Sequence, residues 1–216
     1  MGKDKLRKFA EVATFKNVVQ LDAGKDYKGQ WAKELFGNDK PIILELACGK
    51  GEYTVNLAKK FPDTNFIGVD FKGNRIWRGA KTALEEGIEN VGFLRIQIES
   101  ILEHFAESEV SQIWITFPDP QPQDSRIKKR LTNPRFLEKY KTIMKDRGVM
   151  HLKTDNDDFY AYTLEQIEAG NMPILRQTTD LYKSDLVDDV LSIKTYYEKK
   201  YLADDKNINY VQWQFV

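Results

Sequence analysis

Short apolar runs alternate with amphipathic segments over much of the chain, and this pattern predicts a sheet covered by helices. We predict strands in the apolar runs at residues 42–46, 65–70, 91–96, 112–117 and 148–152. Between these runs apolar residues recur at helical spacing, which predicts helices at residues 52–61, 74–86, 101–105, from Pro134 onward, and 157–169. Strands that alternate with helices in this way are typical of a parallel sheet with helices on both faces.

The two ends of the chain break this alternation. Residues 209–215 alternate apolar and polar positions with a period of two, and they follow a candidate strand at 174–178 without a clear crossover helix. We therefore expect an α/β fold with a mostly parallel, seven-stranded sheet and an antiparallel C-terminal edge. Residues 1–39 are mixed and charged, and we interpret them as a partly flexible N-terminal extension of a single domain at residues 40–216.

The composition argues against several classes of protein. The 216 residues include 33 Lys+Arg and 33 Asp+Glu, and zero net charge is unlike a protein that coats nucleic acid nonspecifically. The single cysteine, Cys48, excludes an internal disulfide, and His104 and His151 lack zinc-ligand spacing, so we expect no metal. No apolar run approaches the length of a membrane span, and the N-terminus has no signal core. We expect a soluble, cytoplasmic protein that does not bind a membrane and is a monomer or a homodimer.

The first predicted strand leads into a turn that contains two glycines, ELACGKG at residues 45–51. Gly49 and Gly51 permit a tight turn and a close backbone approach to a ligand, and Asp70 ends the second strand, where an acid can accept both hydroxyls of a ribose. A dinucleotide site would have a third glycine, and Glu45 would oppose a pyrophosphate. S-adenosylmethionine carries a sulfonium and an ammonium group, which suit carboxylates. A purely structural turn remains an alternative, but the combination favours this methyl donor over NAD.

Asp119 stands between two prolines just after the fourth predicted strand. Because proline fixes its own φ and restricts the preceding residue, Pro118-Asp119-Pro120 should form a stiff, extended turn that aims one carboxylate. Nine basic and two acidic residues follow between positions 126 and 147, a local charge of +7. An aimed acid beside a cationic loop suits a site that handles the base of a polyanion. The alternatives are a proline-rich surface loop and a solvated basic helix face.

Taken together, these motifs resemble those of the bacterial tRNA (guanine-N7) methyltransferase family. Five elements match in that family's order and at similar spacing, and they cover residues 42–216. They are the glycine-rich ELACGKG, the ribose-binding strand NFIGVD, FPDPQP followed by RIKKRL, Thr154-Asp155-Asn156, and Thr195-Tyr196-Tyr197-Glu198. The resemblance implies a Rossmann-like, class I methyltransferase fold that depends on S-adenosylmethionine (SAM), with SAM as the cofactor and tRNA as the partner.

The resemblance also implies roles for the residues at the matching positions. The methyl donor would be bound by Glu45, Gly49, Gly51, Asp70 and Gln97, with Asp119 at the reaction centre and also near the cofactor. The target nucleotide would be bound by Gln123, Asp155, Thr195, Tyr196, Tyr197 and Glu198. The tRNA backbone would be positioned by Arg126, Lys128, Lys129 and Arg130.

Four positions depart from the family pattern. Ala47 replaces a usual glycine, which is tolerable if its φ is negative, and Gln97 replaces a usual carboxylate beside the adenine. Gln121 replaces a tryptophan and Gln123 a lysine, which removes an aromatic surface and a cation from the substrate side. These departures affect the detail of cofactor and guanine contact more than the class of reaction.

The implied reaction is methylation of guanine 46 in the tRNA variable loop. N7 of neutral guanine has a lone pair and no proton, so it can attack the methyl group without a general base, and proximity and orientation supply much of the acceleration. We expect Asp119 to face the positive charge that develops on the ring. Asp155 and Glu198 would hold the N1 and amino donors of the guanine.

Simpler interpretations exist for some of these residues and for the whole chain. Asp155 could cap the helix that starts near Asn156, and Tyr196 and Tyr197 could be ordinary strand or core residues. The chain could also methylate another acceptor (a different RNA, a protein or a small molecule), or be a non-catalytic RNA-binding relative. A nicotinamide enzyme is the least favoured alternative, because both the third glycine and a hydride-site residue are missing.

Overall fold

The computed structural model describes residues 3–20 and 26–216, and within them eight strands form one sheet. The strands are β1 (Val18–Gln20), β2 (Ile42–Leu46), β3 (Asn65–Val69), β4 (Val91–Arg95), β5 (Val110–Thr116), β6 (Met144–Thr154), β7 (Ile174–Thr178) and β8 (Asn209–Gln214). The helices are α1 (Lys3–Val12), α2 (Trp31–Phe36), α3 (Glu52–Lys60), α4 (Gly73–Glu85), α5 (Ile101–His104), α6 (Pro134–Ile143), α7 (Asp157–Ala169) and α8 (Tyr196–Ala203).

The strand order is β1-β4-β3-β2-β5-β6-β8-β7. β1 to β6 pair with one another in parallel, and β8 runs antiparallel to both β6 and β7. The prediction of a mostly parallel sheet with an antiparallel C-terminal edge is therefore confirmed. The predicted count of seven strands is wrong, because β1 adds an eighth strand beside β4. At three residues, β1 is too short to show a periodic pattern, and it is formed by pairing with β4.

Described parts of residues 1–39 pack against the rest of the chain. Helix α1 lies against α4, and β1 is part of the sheet. Trp31 is only 1% exposed; its ring stacks on Phe105 at 5.1 Å, and its indole N–H donates to the carbonyl of His104. A domain boundary near residue 40 and partial flexibility of the extension stay predictions, and residues 1–2 and 21–25 lie outside the described part.

The sheet separates two apolar clusters, because successive side chains of a strand point to opposite faces. The first cluster includes Leu44 and Ile113 and is covered by helices such as α6 and α7. The second includes Phe93, Trp114 and residues of α3 and α4. Glu45 follows Leu44 in β2 and so points to the side of the second cluster. This parity places a carboxylate under the amino end of α3, at the centre of the sheet.

Candidate active site

The turn between β2 and α3 has an unusual backbone. The φ angles of Ala47, Gly49 and Gly51 are 55°, 57° and 69°, all in the left-handed region. A Cβ at Gly51 would also lie 2.4 Å from Cε1 of Phe93, so that position excludes a side chain by both conformation and space. The condition for an unstrained alanine at position 47, a negative φ, is therefore not met, and an L-residue in this conformation costs about 1–2 kcal/mol. The turn therefore keeps a strained residue directly beside the predicted cofactor site.

Glu45 is a buried acid held by three hydrogen bonds. One carboxylate oxygen accepts from the backbone N–H of Thr54 at 2.8 Å and from the hydroxyl of the same residue. The other oxygen accepts from the hydroxyl of Thr116 at 2.5 Å. Burial raises the pKa of Glu45 to about 7, although these hydrogen bonds oppose the increase. At neutral pH this carboxyl can therefore gain or lose its proton in response to the charge of a neighbouring ligand.

Asp70 directly follows β3 and links the end of that strand to the glycine turn. One of its oxygens accepts from the N–H of Gly49 at 2.9 Å, and the other accepts from the N–H of Lys72 at 2.8 Å. Its side chain is 6% exposed. Gln97 follows β4, the next strand along the sheet edge, and its side chain is exposed to solvent. The carboxyl ends of β2, β3 and β4 thus bring three predicted cofactor residues to one edge.

The Pro-Asp-Pro segment leaves β5 at the same edge. Its first turn is fixed by Phe117, which has a φ of 48° and donates its N–H to the carbonyl of Lys153 at 2.8 Å. Asp119 is exposed, and one carboxylate oxygen accepts from the N–H of Gln121 at 3.1 Å. Phe117 lines the cleft beside the glycine turn, and Asp119 lies two residues after Phe117 in the chain. The Asp119 carboxylate is therefore held in place and accessible.

Residues 195–198 form the start of α8 and not a strand. Thr195 caps the helix by accepting from the N–H of Glu198 at 3.1 Å, while the Glu198 side chain accepts from the N–H of Thr195. Tyr196 and Tyr197 are 54% and 41% exposed. The alternative that these tyrosines are strand or core residues is therefore wrong. Their rings are available on the surface next to the cleft.

Glu198 itself is fully buried and is not available to a nucleotide in this structure. Its carboxylate accepts from the ammonium of Lys153 at 2.7 Å and from the hydroxyl of Tyr182 at 2.7 Å. Lys153 also donates to the carbonyls of Leu191 and Ile193, both at 3.2 Å. Burial lowers the pKa of Lys153, and the Glu198 carboxylate opposes this effect. The geometry does not support guanine binding by Glu198 and assigns it to an internal ion pair.

Asp155 lies at the carboxyl end of β6 and forms an ion pair with Lys206 at 2.8 Å. The residue that caps α7 is Asn156, whose side-chain oxygen accepts from the N–H of Phe159 at 2.7 Å. The alternative that Asp155 is the cap is therefore wrong. Asp155 keeps a partly exposed carboxylate at the same edge of the sheet as Asp119.

The basic segment is divided by the fold into two parts. Residues 124–129 form a 3₁₀ turn, in which Arg126, Lys128 and Lys129 are exposed, next to the exposed Gln123. Arg130 differs, because it is 8% exposed and its guanidinium lies over the ring of Tyr162, 4.6 Å from the centroid. Arg130 therefore stabilises the loop from inside and is not presented to a polyanion.

The second part of the basic segment lies on α6 and beyond it. This helix begins beside the Pro-Asp-Pro edge and ends at the opposite edge of the sheet, about 15 Å away for ten residues. Lys145 and Arg147 follow it there and are exposed. The exposed cations of this segment near the cleft are therefore those of the 3₁₀ turn and Arg135 at the start of α6, which pairs with Glu99 at 3.5 Å.

Three charged residues that the sequence analysis did not single out line the cleft. Lys50, Glu52 and Arg75 lie there together with Glu45 and Tyr197. Lys50 and Glu52 could have been found from their position at the glycine turn, whereas no sequence signal distinguished Arg75 from other surface cations. The cleft therefore presents both acids and cations to a ligand.

The structure closes the cleft on one side with α8. The N–H of Tyr196 donates to a carboxylate oxygen of Glu52 at 2.7 Å, and the ammonium of Lys50 lies 4.3 Å from the centroid of the Tyr196 ring.

The described residues contain no group of three or more acids, histidines or cysteines arranged to hold a metal ion. Over the same described ranges, every helix is too short or too polar to cross a membrane.

Comparisons with known proteins agree with this arrangement. A family model described as "Putative methyltransferase" matches residues 39–211. The chain is 50% identical to the tRNA (guanine-N(7)-)-methyltransferase of Bacteroides thetaiotaomicron over 99% of its own length and 86% of that protein. It is 51% identical to the enzyme of the same name from Christiangramia forsetii, covering 99% of this chain and 98% of that protein.

Among solved structures, the chain resembles the 16S rRNA methyltransferase KamB with a TM-score of 0.66 at 12% identity. The likeness covers 88% of this chain and 95% of that one. At this identity the likeness concerns the fold alone, and the fold is that of a Rossmann-like methyltransferase. Together with the two bacterial relatives, it confirms the resemblance inferred from the motifs: the chain is a methyltransferase and belongs to the tRNA (guanine-N(7)-)-methyltransferase family.

Proposed function

We propose that this protein transfers the methyl group of S-adenosylmethionine to N7 of guanine 46 in the variable loop of tRNA. The observation that carries the proposal is the meeting, at one sheet edge, of a carboxylate-lined glycine turn and an exposed, fixed Asp119. The two bacterial relatives are tRNA (guanine-N(7)-)-methyltransferases, which supports tRNA as the substrate and N7 as the acceptor atom. Such an enzyme would act in the cytoplasm, as a monomer or a homodimer.

The residues of the cleft fit S-adenosylmethionine better than a phosphate-bearing cofactor. Glu45, Glu52 and Asp70 place three carboxyl groups at or beside the glycine turn, where a pyrophosphate would be repelled. The donor's ammonium suits the acids, and its carboxylate suits the cations Lys50 and Arg75, which also line the cleft. S-adenosylmethionine supplies an electrophilic methyl group on a positively charged sulfur. Asp70 would hold the ribose hydroxyls and Gln97 would lie near the adenine.

The chain's own contribution to the reaction is orientation and charge. Asp119 would accept hydrogen bonds from the guanine edge and face the positive charge that N7 methylation places on the ring. Asp155 would contact the guanine from the neighbouring strand end if the base displaces Lys206 from it. Tyr196 and Tyr197 offer exposed aromatic faces beside the cleft, and stacking on such faces holds an unpaired base. Gln123 would lie near the nucleotide. Glu198 and Thr195 would contribute indirectly, by stabilising the start of α8.

Donor affinity should depend on pH through Glu45. The pKa of this carboxyl is about 7 without ligand, and a bound cation favours its charged form. Donor binding below pH 7 must therefore release a proton. We expect the Kd of S-adenosylmethionine to rise by up to about tenfold for each pH unit below 7 and to be constant above about pH 8. Calorimetric titration with S-adenosylmethionine from pH 5.5 to 8.5 measures this dependence. Glu45→Gln should weaken binding and flatten the profile, whereas an unchanged profile in that variant would assign the proton to another group.

Exposed cations of the 3₁₀ turn should contribute to tRNA affinity, and Arg130 should contribute to stability instead. We expect Lys128→Glu with Lys129→Glu to weaken tRNA binding. The slope of the logarithm of the binding constant against the logarithm of the salt concentration should fall in magnitude by about one for each lost phosphate contact. Arg130→Gln should lower the melting temperature and leave the salt slope close to that of the unmodified protein. Fluorescence anisotropy at several salt concentrations, with thermal unfolding in parallel, separates the two effects. Equal salt slopes in all variants would mean that the turn is only solvated surface.

The proposal is tested by methyl transfer from labelled S-adenosylmethionine to unmodified tRNA transcripts, with the product mapped by strand scission specific for 7-methylguanine. A single cut in the variable loop is expected. Donor binding without transfer to tRNA would favour another acceptor, and tRNA binding without donor binding would favour a non-catalytic RNA-binding protein.

A further inference from the structure

A second group of exposed cations lies on the other side of the cleft, in an open groove between α3 and α8. The groove is lined by Lys59, Lys60, Lys194 and Lys199, with Asp189 as its acidic lining residue. These lysines come from two helices and the segment before α8. Four positive charges and one negative charge make the groove strongly basic in a chain of zero net charge.

Internal ion pairs balance the charge of two of these four lysines and leave that of the other two unbalanced. Lys59 pairs with Glu86 and Lys60 pairs with Asp189. Lys194 and Lys199, by contrast, form no ion pair with any residue in the described ranges, although the ammonium of Lys194 lies over the ring of Tyr182. Both side chains are exposed. Unpaired cations that face a groove are available to an anion.

The groove is continuous with the reaction cleft through the start of α8. Thr195 and Tyr197 line the cleft, and Lys194 lines the groove one residue earlier. Tyr196 and Lys199 are three residues apart on α8 and so share a helix face. Lys50 lies over the Tyr196 ring on the cleft side. The surface thus interleaves cations with exposed aromatic rings, an arrangement that suits phosphates and unstacked bases.

The groove and the 3₁₀ turn flank the cleft from opposite faces of the sheet. Ile127, in the turn, packs against the apolar cluster on the face covered by α6 and α7. Ile193, at the groove, packs against the cluster on the other face, with α3. A polyanion whose base reaches the cleft would therefore meet basic surface on both sides. A single strand or arm of tRNA could span both surfaces.

We infer that the groove between α3 and α8 is a second phosphate-binding surface for the tRNA substrate, formed chiefly by Lys194 and Lys199. This inference rests on the proposed function for its ligand. The two lysines contact backbone phosphates on the side of the cleft opposite Lys128 and Lys129. Contacts with phosphates position the target without selecting its sequence.

The test compares two double variants of the full chain that lose the same charge. Lys194→Gln with Lys199→Gln changes the groove, and Lys33→Gln with Lys145→Gln changes exposed lysines outside the groove and the cleft. Binding of an unmodified tRNA transcript is measured by fluorescence anisotropy between 50 and 300 mM salt. We expect the groove variant to bind about tenfold or more weakly at 100 mM salt, with a salt slope lower by about two. The control variant should match the unmodified protein, and both should retain donor affinity.

The outcomes separate this inference from the proposed function. If the groove variant keeps the affinity and salt slope of the control, the groove does not bind tRNA, even when the unmodified protein methylates the transcript. If the groove variant loses affinity while the unmodified protein binds tRNA but transfers no methyl group, the groove is supported and the proposed reaction is refuted. Failure of the unmodified protein to bind tRNA would overturn both.

Discussion

Replacing Asp119 by asparagine should reduce the rate of guanine N7 methylation by about 100-fold or more, because it removes the charge that faces the developing cation. The variant keeps an oxygen that can accept from the N–H of Gln121, so the conformation of the loop should survive. The rate is measured in a single turnover with saturating tRNA and labelled methyl donor.

Two controls separate loss of chemistry from loss of structure in this experiment. Asp124→Asn removes an exposed acid from the same loop and should leave the single-turnover rate within about twofold of the unmodified protein. The Kd of S-adenosylmethionine for Asp119→Asn should change far less than the rate. A variant that retains the full rate would exclude Asp119 from the reaction centre. A variant that loses donor binding and rate in parallel would make Asp119 a cofactor ligand only.

The second large effect concerns stability, through the buried ion pair of Lys153 and Glu198. Lys153→Met should destabilise the protein by about 3–5 kcal/mol, because it leaves the Glu198 carboxylate buried without its partner. For a domain of this size the melting temperature should fall by roughly 6–20 °C. Thermal unfolding followed by circular dichroism measures the shift.

A double variant and a surface pair complete this experiment. Lys153→Met with Glu198→Gln should recover part of the lost stability, since no unpaired charge is left inside. Lys183→Met, which breaks an exposed pair with Asp180, should lower the melting temperature far less than Lys153→Met does. If Lys153→Met were no more destabilising than Lys183→Met, Glu198 would be free to face the cleft. That result would restore Glu198 as a candidate ligand of the guanine.

Lys153 also links stability to the site. Its carbonyl accepts from the N–H of Phe117 at the start of the Pro-Asp-Pro segment, and its ammonium holds Glu198 at the start of α8. The same residue therefore supports the loop that carries Asp119 and the helix that covers the cleft. Loss of its side chain should disturb α8 more than the loop, because the carbonyl remains.

The sheet was predictable where strands are long apolar runs. β2 has the predicted bounds, Ile42–Leu46, and α7 has the predicted bounds, Asp157–Ala169. β6 is longer than predicted, because it begins at Met144, which pairs with Val110, and the exposed polar residues 145–147 that follow give no apolar pattern. α8 was not predicted, since the one residue it buries is Glu198, a charged residue that gives no apolar stripe.

The candidate site was predictable where a residue type and its place at a strand end together indicate chemistry. Glu45 and Asp70 lie at the glycine turn, and Asp119 is accessible at the same edge, as expected from the parallel strands. Arg130 and Glu198 show the limit of this reasoning. Each belongs to a motif that suggests a surface role, yet each is buried by a partner from a distant part of the chain, Tyr162 and Lys153 respectively.

The sequence by itself determined the class of fold, the edge of the sheet that carries the site and the family of the protein, because hydrophobic periodicity and the order of short motifs are local properties of the chain. Only the tertiary structure decided which charged residues are available. The +7 segment is divided by the direction of α6, and Lys194 and Lys199 are brought beside α3 from more than a hundred residues away. Burial and pairing of charges depend on which elements meet in space. The sequence order of those elements does not contain that information.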